Sequence, residues 1–171
     1  TIDFTRLFGG EFINGSKGCV IGQAFVIKRT TDGGQTWTDV SAPGTACDGG
    51  RGNALDFSHP TGSYGVAVGT GGFIAFSSDQ GATWATANEG GPDLEDVSFV
   101  QVPALPNTTD VYAVGAAGLV MCSDDQGATW TTKTNPDQDP DLRGVAFASP
   151  SVGWIVGDNG AVFKTTNGGG R

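Results

Sequence analysis

Short apolar runs that end in glycine recur at nearly regular intervals along the chain. Each follows an earlier apolar pattern marked by a phenylalanine, and a third pattern ends in Ser or Thr eight residues after the glycine. Short apolar and β-branched runs bounded by glycine and polar turns are typical of strands. The pattern therefore predicts a unit of four strands, which in the second copy lie near 54–58, 64–68, 73–77 and 83–87. The four runs are Cys19-Val20-Ile21-Gly22, Val66-Ala67-Val68-Gly69, Tyr112-Ala113-Val114-Gly115 and Trp154-Ile155-Val156-Gly157.

A polar turn separates the third and fourth strands of each unit. It has the order Ser/Thr-x-Asp-x-Gly-x-Thr-Trp at 30–37, 77–84 and 123–130, and a fourth copy starts at Thr165 with Asn167 in place of the aspartate. We expect a structural turn, in which glycine supplies a positive φ, the carboxylate accepts hydrogen bonds from its own turn, and tryptophan fills the gap between adjacent sheets. The residues assigned to it are Asp32, Trp37, Asp79, Trp84, Asp125, Trp130 and Asn167.

The repeat predicts an all-β fold. Successive Asp or Asn positions are 47, 46 and 42 residues apart, a period typical of a four-stranded propeller blade. We expect a β-propeller, or an arc of one, with about four four-stranded antiparallel blades in one domain over 1–171, since one sheet alone cannot bury both its faces. Two architectures stay open: an arc of a larger ring, or four units that close alone or by pairing with a second copy. The blades are predicted near 6–45, 46–92, 93–138 and 139–171, with 1–5 a candidate outer strand for the last.

Composition narrows the class of protein. The chain has 9 basic and 18 acidic residues, a net charge of −9, which argues against nucleic acid or an anionic membrane as a partner. The longest apolar stretch, 111–122, is shorter than the roughly 20 residues that a membrane helix needs. Few lysines and many glycines favour an exported protein. With one histidine, His59, and three cysteines at no metal-type spacing, a zinc site is not expected.

The candidate binding residues gather on one predicted face. In a propeller, the loops that lead from an outer strand to the next inner strand share a face with the glycine turns, and here they are rich in acids. The pattern favours ordinary solvated loop charge, and the alternative hypothesis is an electronegative face that binds a basic protein partner or divalent cations. Arg6, Arg51 and Arg143 lie near the starts of the first strands, so all three could approach the centre of one face, as the arginine cluster of a sialidase-like site would require. The candidate residues are Asp48, Arg51, Glu89, Asp93, Glu95, Asp137, Asp139, Asp141, Arg143 and Asp158.

Residues 137–141 are a calcium candidate. Asp137, Asp139 and Asp141 have the spacing that opens a calcium loop, but the glycine at the sixth place and the glutamate at the twelfth are missing. Apart from calcium, no cofactor is expected.

The polar turns resemble the Asp-box, or BNR, repeat. The stretch from Trp154 to Gly169 is most similar to the photosystem II assembly and stability factor family of propellers. That resemblance implies a non-catalytic scaffold that holds a partner through a basic patch. Asp-boxes also occur in sialidases, xyloglucan-cleaving enzymes and sortilin-type receptors.

Two functions follow from the sequence. The first is a non-enzymatic exported propeller that holds a protein partner, which could also be a second copy or the remainder of the ring, through its loop face. The alternative is a carbohydrate-active module, either a glycoside hydrolase or a glycan-binding propeller. A hydrolase would need two opposed carboxylates, for which Asp56 or Asp96 beside an inner strand are the candidates. No complete catalytic set is visible in the sequence.

Overall fold

The computed structural model describes residues 6–42, 50–59, 61–100, 110–133 and 140–169. These residues form four antiparallel sheets in chain order, three with four strands and one with three. The first sheet contains β1 (Leu7–Phe12), β2 (Gly18–Gly22), β3 (Ile27–Thr30) and β4 (Thr38–Asp39). The second contains β5 (Gly52–Phe57), β6 (Gly65–Gly69), β7 (Ile74–Ser77) and β8 (Ala85–Asn88). The third contains β9 (Leu94–Phe99), β10 (Val111–Gly115), β11 (Val120–Ser123) and β12 (Thr131–Lys133). The fourth contains β13 (Leu142–Phe147), β14 (Gly153–Gly157) and β15 (Val162–Thr165).

The four sheets stand side by side in the manner of propeller blades. In each sheet the strands pair in sequence order, and the first strands pack on one another in the series β1, β5, β9, β13. The predicted all-β fold, with consecutive antiparallel blades, is confirmed. Among the described residues the series does not close, since the outer faces of the first and fourth sheets expose apolar side chains such as Phe12 and Trp154. Residues 1–5, the predicted outer strand for the last blade, lie outside the described residues.

The core lies between the sheets. All five residues of β6 and of β10 are buried, and their side chains alternate between the two neighbouring sheets. Ala67 packs in the cluster between the first and second sheets, whereas Val66 and Val68 pack in the cluster between the second and third. A third apolar cluster joins the third and fourth sheets. A continuous apolar run in a central strand is therefore explained by burial on both faces.

Each second strand ends in a glycine because there is no room for a Cβ atom at that position. Its backbone is extended, with φ −172° at Gly69 and at Gly115, so no left-handed conformation explains the residue. A Cβ at Gly69 would overlap the carbonyl oxygen of Arg51, and one at Gly115 would overlap that of Asp93. The close approach lets a short 3-10 turn follow the strand and hydrogen-bond to the segment before the first strand, as Thr70 N–H does to Arg51 O at 2.9 Å.

Three such 3-10 turns, at Thr70–Gly72, Ala116–Gly118 and Asp158–Gly160, are the helical segments of the described chain. None of the described residues forms a helix with the length and apolar character to cross a membrane.

Candidate functional site

The polar turns are held by a repeated set of hydrogen bonds. In the second sheet, Ser77 Oγ donates to Asp79 Oδ1 at 2.9 Å, and Thr83 donates to the same carboxylate from its N–H at 2.9 Å and its hydroxyl at 2.7 Å. Gly81 N–H donates to Ser77 Oγ at 2.9 Å. The corresponding bonds recur around Asp32 and Asp125. Each aspartate thus binds its own turn. In the fourth sheet, Thr165 donates to Asn167 Oδ1 at 2.9 Å.

These hydrogen bonds favour the ionised aspartates. The hydroxyl and amide of Thr36, with the hydroxyl of Thr30, lower the pKa of Asp32 to about 2. At Asp79 and Asp125 partial burial acts in the opposite direction, but the bonds from the turn outweigh it and the pKa of each carboxyl is lowered.

The tryptophans of the turns fill the junctions between sheets. Trp84 Nε1 donates to Gly81 O at 3.2 Å, and the ring meets Phe57 edge-on at 6.0 Å between centroids. Trp84 is 4 % exposed and belongs to the cluster between the first and second sheets. Trp130 packs against the cluster between the second and third sheets and is partly buried. Trp37 has the same turn and the same phenylalanine contact, but it lies on the outer face of the first sheet and is only partly buried.

The opposite ends of the sheets form the candidate binding face, which we call the loop face. It consists of the 3-10 turns and the segments that precede the first strands. Asp93 Oδ1 accepts the N–H of Gly71 at 2.8 Å, and Asp141 Oδ1 accepts that of Ala117 at 2.8 Å. Each of these acids therefore fastens the turn of the preceding sheet. Arg51 occupies the corresponding position before β5.

One end of the loop face is rich in paired acids. Arg143 contacts Glu95 at 3.0 Å, Asp141 at 3.2 Å and Asp158 at 2.7 Å. The hydrogen bond to Asp158 is the largest of the effects that raise the pKa of Arg143, and the same bond lowers the pKa of Asp158. Asn53 Nδ2 extends the series by donating to Leu94 O at 2.7 Å. The structure thus brings four of the predicted candidates together.

The other end of the loop face is cationic and aromatic. The guanidinium groups of Arg6 and Arg51 lie 5.6 and 5.4 Å from the centroid of the same ring, Phe8, which is 40 % exposed. Among the described residues, no carboxylate lies within ion-pair distance of Arg6 or Arg51. The approach of the arginines to this face was predicted, but their meeting on Phe8 was missed. The sequence register could have revealed that Phe8 lies on this face. The second residue of every first strand lies there, and these residues are Phe8, Asn53, Glu95 and Arg143.

The remaining candidates are dispersed. Glu89 borders a cleft of about 330 Å³ whose lining includes Phe25 and Phe73, two rings 4.3 Å apart. Asp48, Asp137 and Asp139 lie outside the described residues. Asp141, the third calcium candidate, is engaged with Ala117 and Arg143.

One group of described residues has a composition that suits a metal ion, and the sequence did not predict it. It consists of Glu11, Asp56 and His59, whose ligand atoms lie within 4.8 Å of one another.

The two carboxylates considered for a hydrolase bind backbone amides of the next sheet. Phe99 N–H donates to Asp56 Oδ2 at 2.8 Å, and Val145 N–H donates to Asp96 Oδ2 at 2.9 Å. Burial between the sheets raises the pKa of Asp56 to about 6 and raises that of Asp96. Both side chains thus link neighbouring sheets.

The fold is that of known propellers. No protein-family model matches the chain, and no curated protein matches it significantly. A solved structure of YCF48 bound to D1 peptide superposes with a TM-score of 0.63 at 16 % identity, over 96 % of this chain and 54 % of that one. YCF48 from Cyanidioschyzon merolae gives 0.64 at 15 % identity, over 93 % of this chain and 55 % of that one. A GH74 enzyme of Niastella koreensis gives 0.68 at 24 % identity, over all of this chain and 24 % of that one.

These likenesses establish a β-propeller fold. The chain spans about half the length of the YCF48 structures and about a quarter of the GH74 enzyme. Combined with the open series of sheets, this agrees with an arc of a propeller.

Proposed function

We propose that this chain is a non-enzymatic protein-binding propeller that holds an extended segment of a partner protein on its loop face. The observation that carries the proposal is the pair Arg6 and Arg51 on the exposed ring of Phe8. In a chain of net charge −9, two guanidinium groups at one ring without a carboxylate partner in the described residues are suited to an acidic group of a ligand.

The contrast with Arg143 strengthens this argument. Arg143 stands at the register of Phe8, on the same face, and contacts three carboxylates. The described residues therefore supply counter-charges at one end of the face and none at the other. An acidic side chain or carboxylate of the partner would replace them, and the cleft beside Phe25 and Phe73 would take an adjacent apolar side chain.

The similarity to a YCF48 structure bound to a D1 peptide supports a peptide as the ligand. That structure is a propeller with a bound peptide, and at 16 % identity the two proteins share the fold alone. We further infer that the polar turns are Asp-box repeats, from their motif and shared hydrogen bonds, and that the protein is exported, from its composition. Calcium near Asp141 stays a prediction, which melting curves with and without calcium would test.

A peptide microarray tests the proposal. The probe is a set of synthetic peptides in acidic, neutral and basic series of matched length and apolar content. We expect the wild type to retain acidic peptides that carry an apolar residue, with affinity that falls as salt rises. Loss of one charge-assisted contact in Arg51→Gln should weaken this binding by roughly tenfold or more.

Lys17→Gln is the matched control, because it removes one positive charge from the polar-turn end of the sheets, opposite the loop face. Equal binding by the wild type and Arg51→Gln would contradict the proposal. Xyloglucan oligosaccharides form a second arm: binding or cleavage of these sugars, without peptide binding, would favour the carbohydrate-active alternative.

A further inference from the structure

In each sheet, three residues at fixed strand registers form the surface against which the next sheet packs. In the second sheet they are Val66, Val68 and Ile74, which are fully buried against the third sheet. Strand pairing places Val66 opposite Phe76 and Val68 opposite Ile74, so the three side chains share one face.

The fourth sheet presents the same surface with nothing described on it. Trp154, Val156 and Val162 stand at the registers of Val66, Val68 and Ile74, as the pairing of β14 with β15 shows. They are 37 %, 44 % and 67 % exposed. Adjacent large apolar side chains that remain in water mark an interaction surface.

The first sheet carries the complementary surface. At the junction between the first and second sheets, the second sheet contributes Phe57 and Trp84, which are 0 % and 4 % exposed. Phe12 and Trp37 occupy the same registers in the first sheet, with the rings 6.3 Å apart in the same edge-on geometry. They point away from the second sheet, and Phe12 is 44 % exposed.

The chain thus bears both halves of one inter-sheet junction at its two ends. We propose that the first sheet of a second copy, through Phe12 and Trp37, packs on the Trp154, Val156 and Val162 face of the fourth sheet. The contact would continue the packing that already joins the described sheets three times. Such a head-to-tail interface is heterologous, and two of them would close two copies into a ring of eight sheets, within the known range of propellers.

Sedimentation velocity of the 171-residue chain tests this inference. Between roughly 1 and 100 µM, the range of moderate affinities, we expect a concentration-dependent species of two chains. Trp154→Glu places a charge at the centre of the interface and should raise the dissociation constant by roughly 30-fold or more. Thr86→Glu is the control, because it adds the same charge at an exposed site on β8 and should leave association unchanged.

A second variant tests the head-to-tail geometry. Phe12→Glu changes the first sheet alone, and it should weaken association as much as Trp154→Glu does, with circular dichroism confirming that both variants fold. A mixture of the two variants retains one intact junction and should recover a complex of two chains. A wild type that stays monomeric, or a dimer that survives Phe12→Glu, would overturn the inference.

Discussion

At the scale of single residues, the aspartates of the polar turns and those between the sheets have opposite environments. Asp32, Asp79 and Asp125 sit in shells of hydroxyl and amide donors, which favour the anion. Asp56 and Asp96 lie between sheets, where burial favours the neutral acid. The motif made the first group predictable, because all its donors lie within four residues of the carboxylate. The second group depends on amides more than 40 residues away, which no local pattern reveals.

Removing a turn carboxylate should destabilise the fold. In Asp125→Ala, Ser123 and Thr129 lose the acceptor of three hydrogen bonds, and we expect the free energy of unfolding in urea to fall by roughly 2–4 kcal/mol. The adjacent Asp124 is exposed, so Asp124→Ala should change it by no more than about 0.5 kcal/mol. Equal effects of the two substitutions would refute the structural role of the turn.

Asp56 should make stability fall as pH rises. Its pKa is about 6 when folded against an ordinary value of 3.8, so between these values the unfolded chain releases a proton that the folded chain keeps. The stability present below pH 4 is then lost as pH rises through 6, by about 2–3 kcal/mol in total. Urea unfolding from pH 4 to 7 should show Asp56→Asn gaining on the wild type by that amount. Parallel curves would contradict the assignment.

At the scale of elements, the strand pattern could be predicted closely. The expected strands of the second unit, near 54–58, 64–68, 73–77 and 83–87, compare with the observed β5, β6, β7 and β8 to within two residues. Local signals sufficed because glycine turns and apolar runs mark both ends of each strand. The sequence did not show why glycine ends each second strand. A Cβ at that position would overlap a carbonyl oxygen of the segment before the first strand, and this contact forms only in the folded chain.

The contribution of a turn tryptophan to the free energy of unfolding should depend on whether a neighbouring sheet packs on it. Trp84→Ala removes a ring buried between two sheets and should cost roughly 3–5 kcal/mol in the free energy of unfolding. Trp37→Ala, at the same place in the motif but on an open face, should cost roughly 1–2 kcal/mol at low protein concentration. Urea unfolding of both variants provides the comparison. Equal costs would mean that the indole acts within its own turn and contributes little to the junction.

At the scale of the whole molecule, the polar and charged side chains divide into two sets, one at each end of the sheets. The polar turns stabilise one end, and the loop face gathers the charged and aromatic side chains at the other. The sequence indicated the acids of that face, but it did not show that Arg6, Phe8 and Arg51 converge. These residues come from two different sheets, and only the packing of β1 beside β5 brings them together.

The most direct test of this division is NMR mapping of backbone amides during titration with an acidic peptide selected on the array. We expect shifts around residues 6–8, 22–24 and 50–53 on the loop face, and unchanged amides in the turns at 77–84 and 123–130. Shifts centred on those polar turns, with the loop face unaffected, would contradict it.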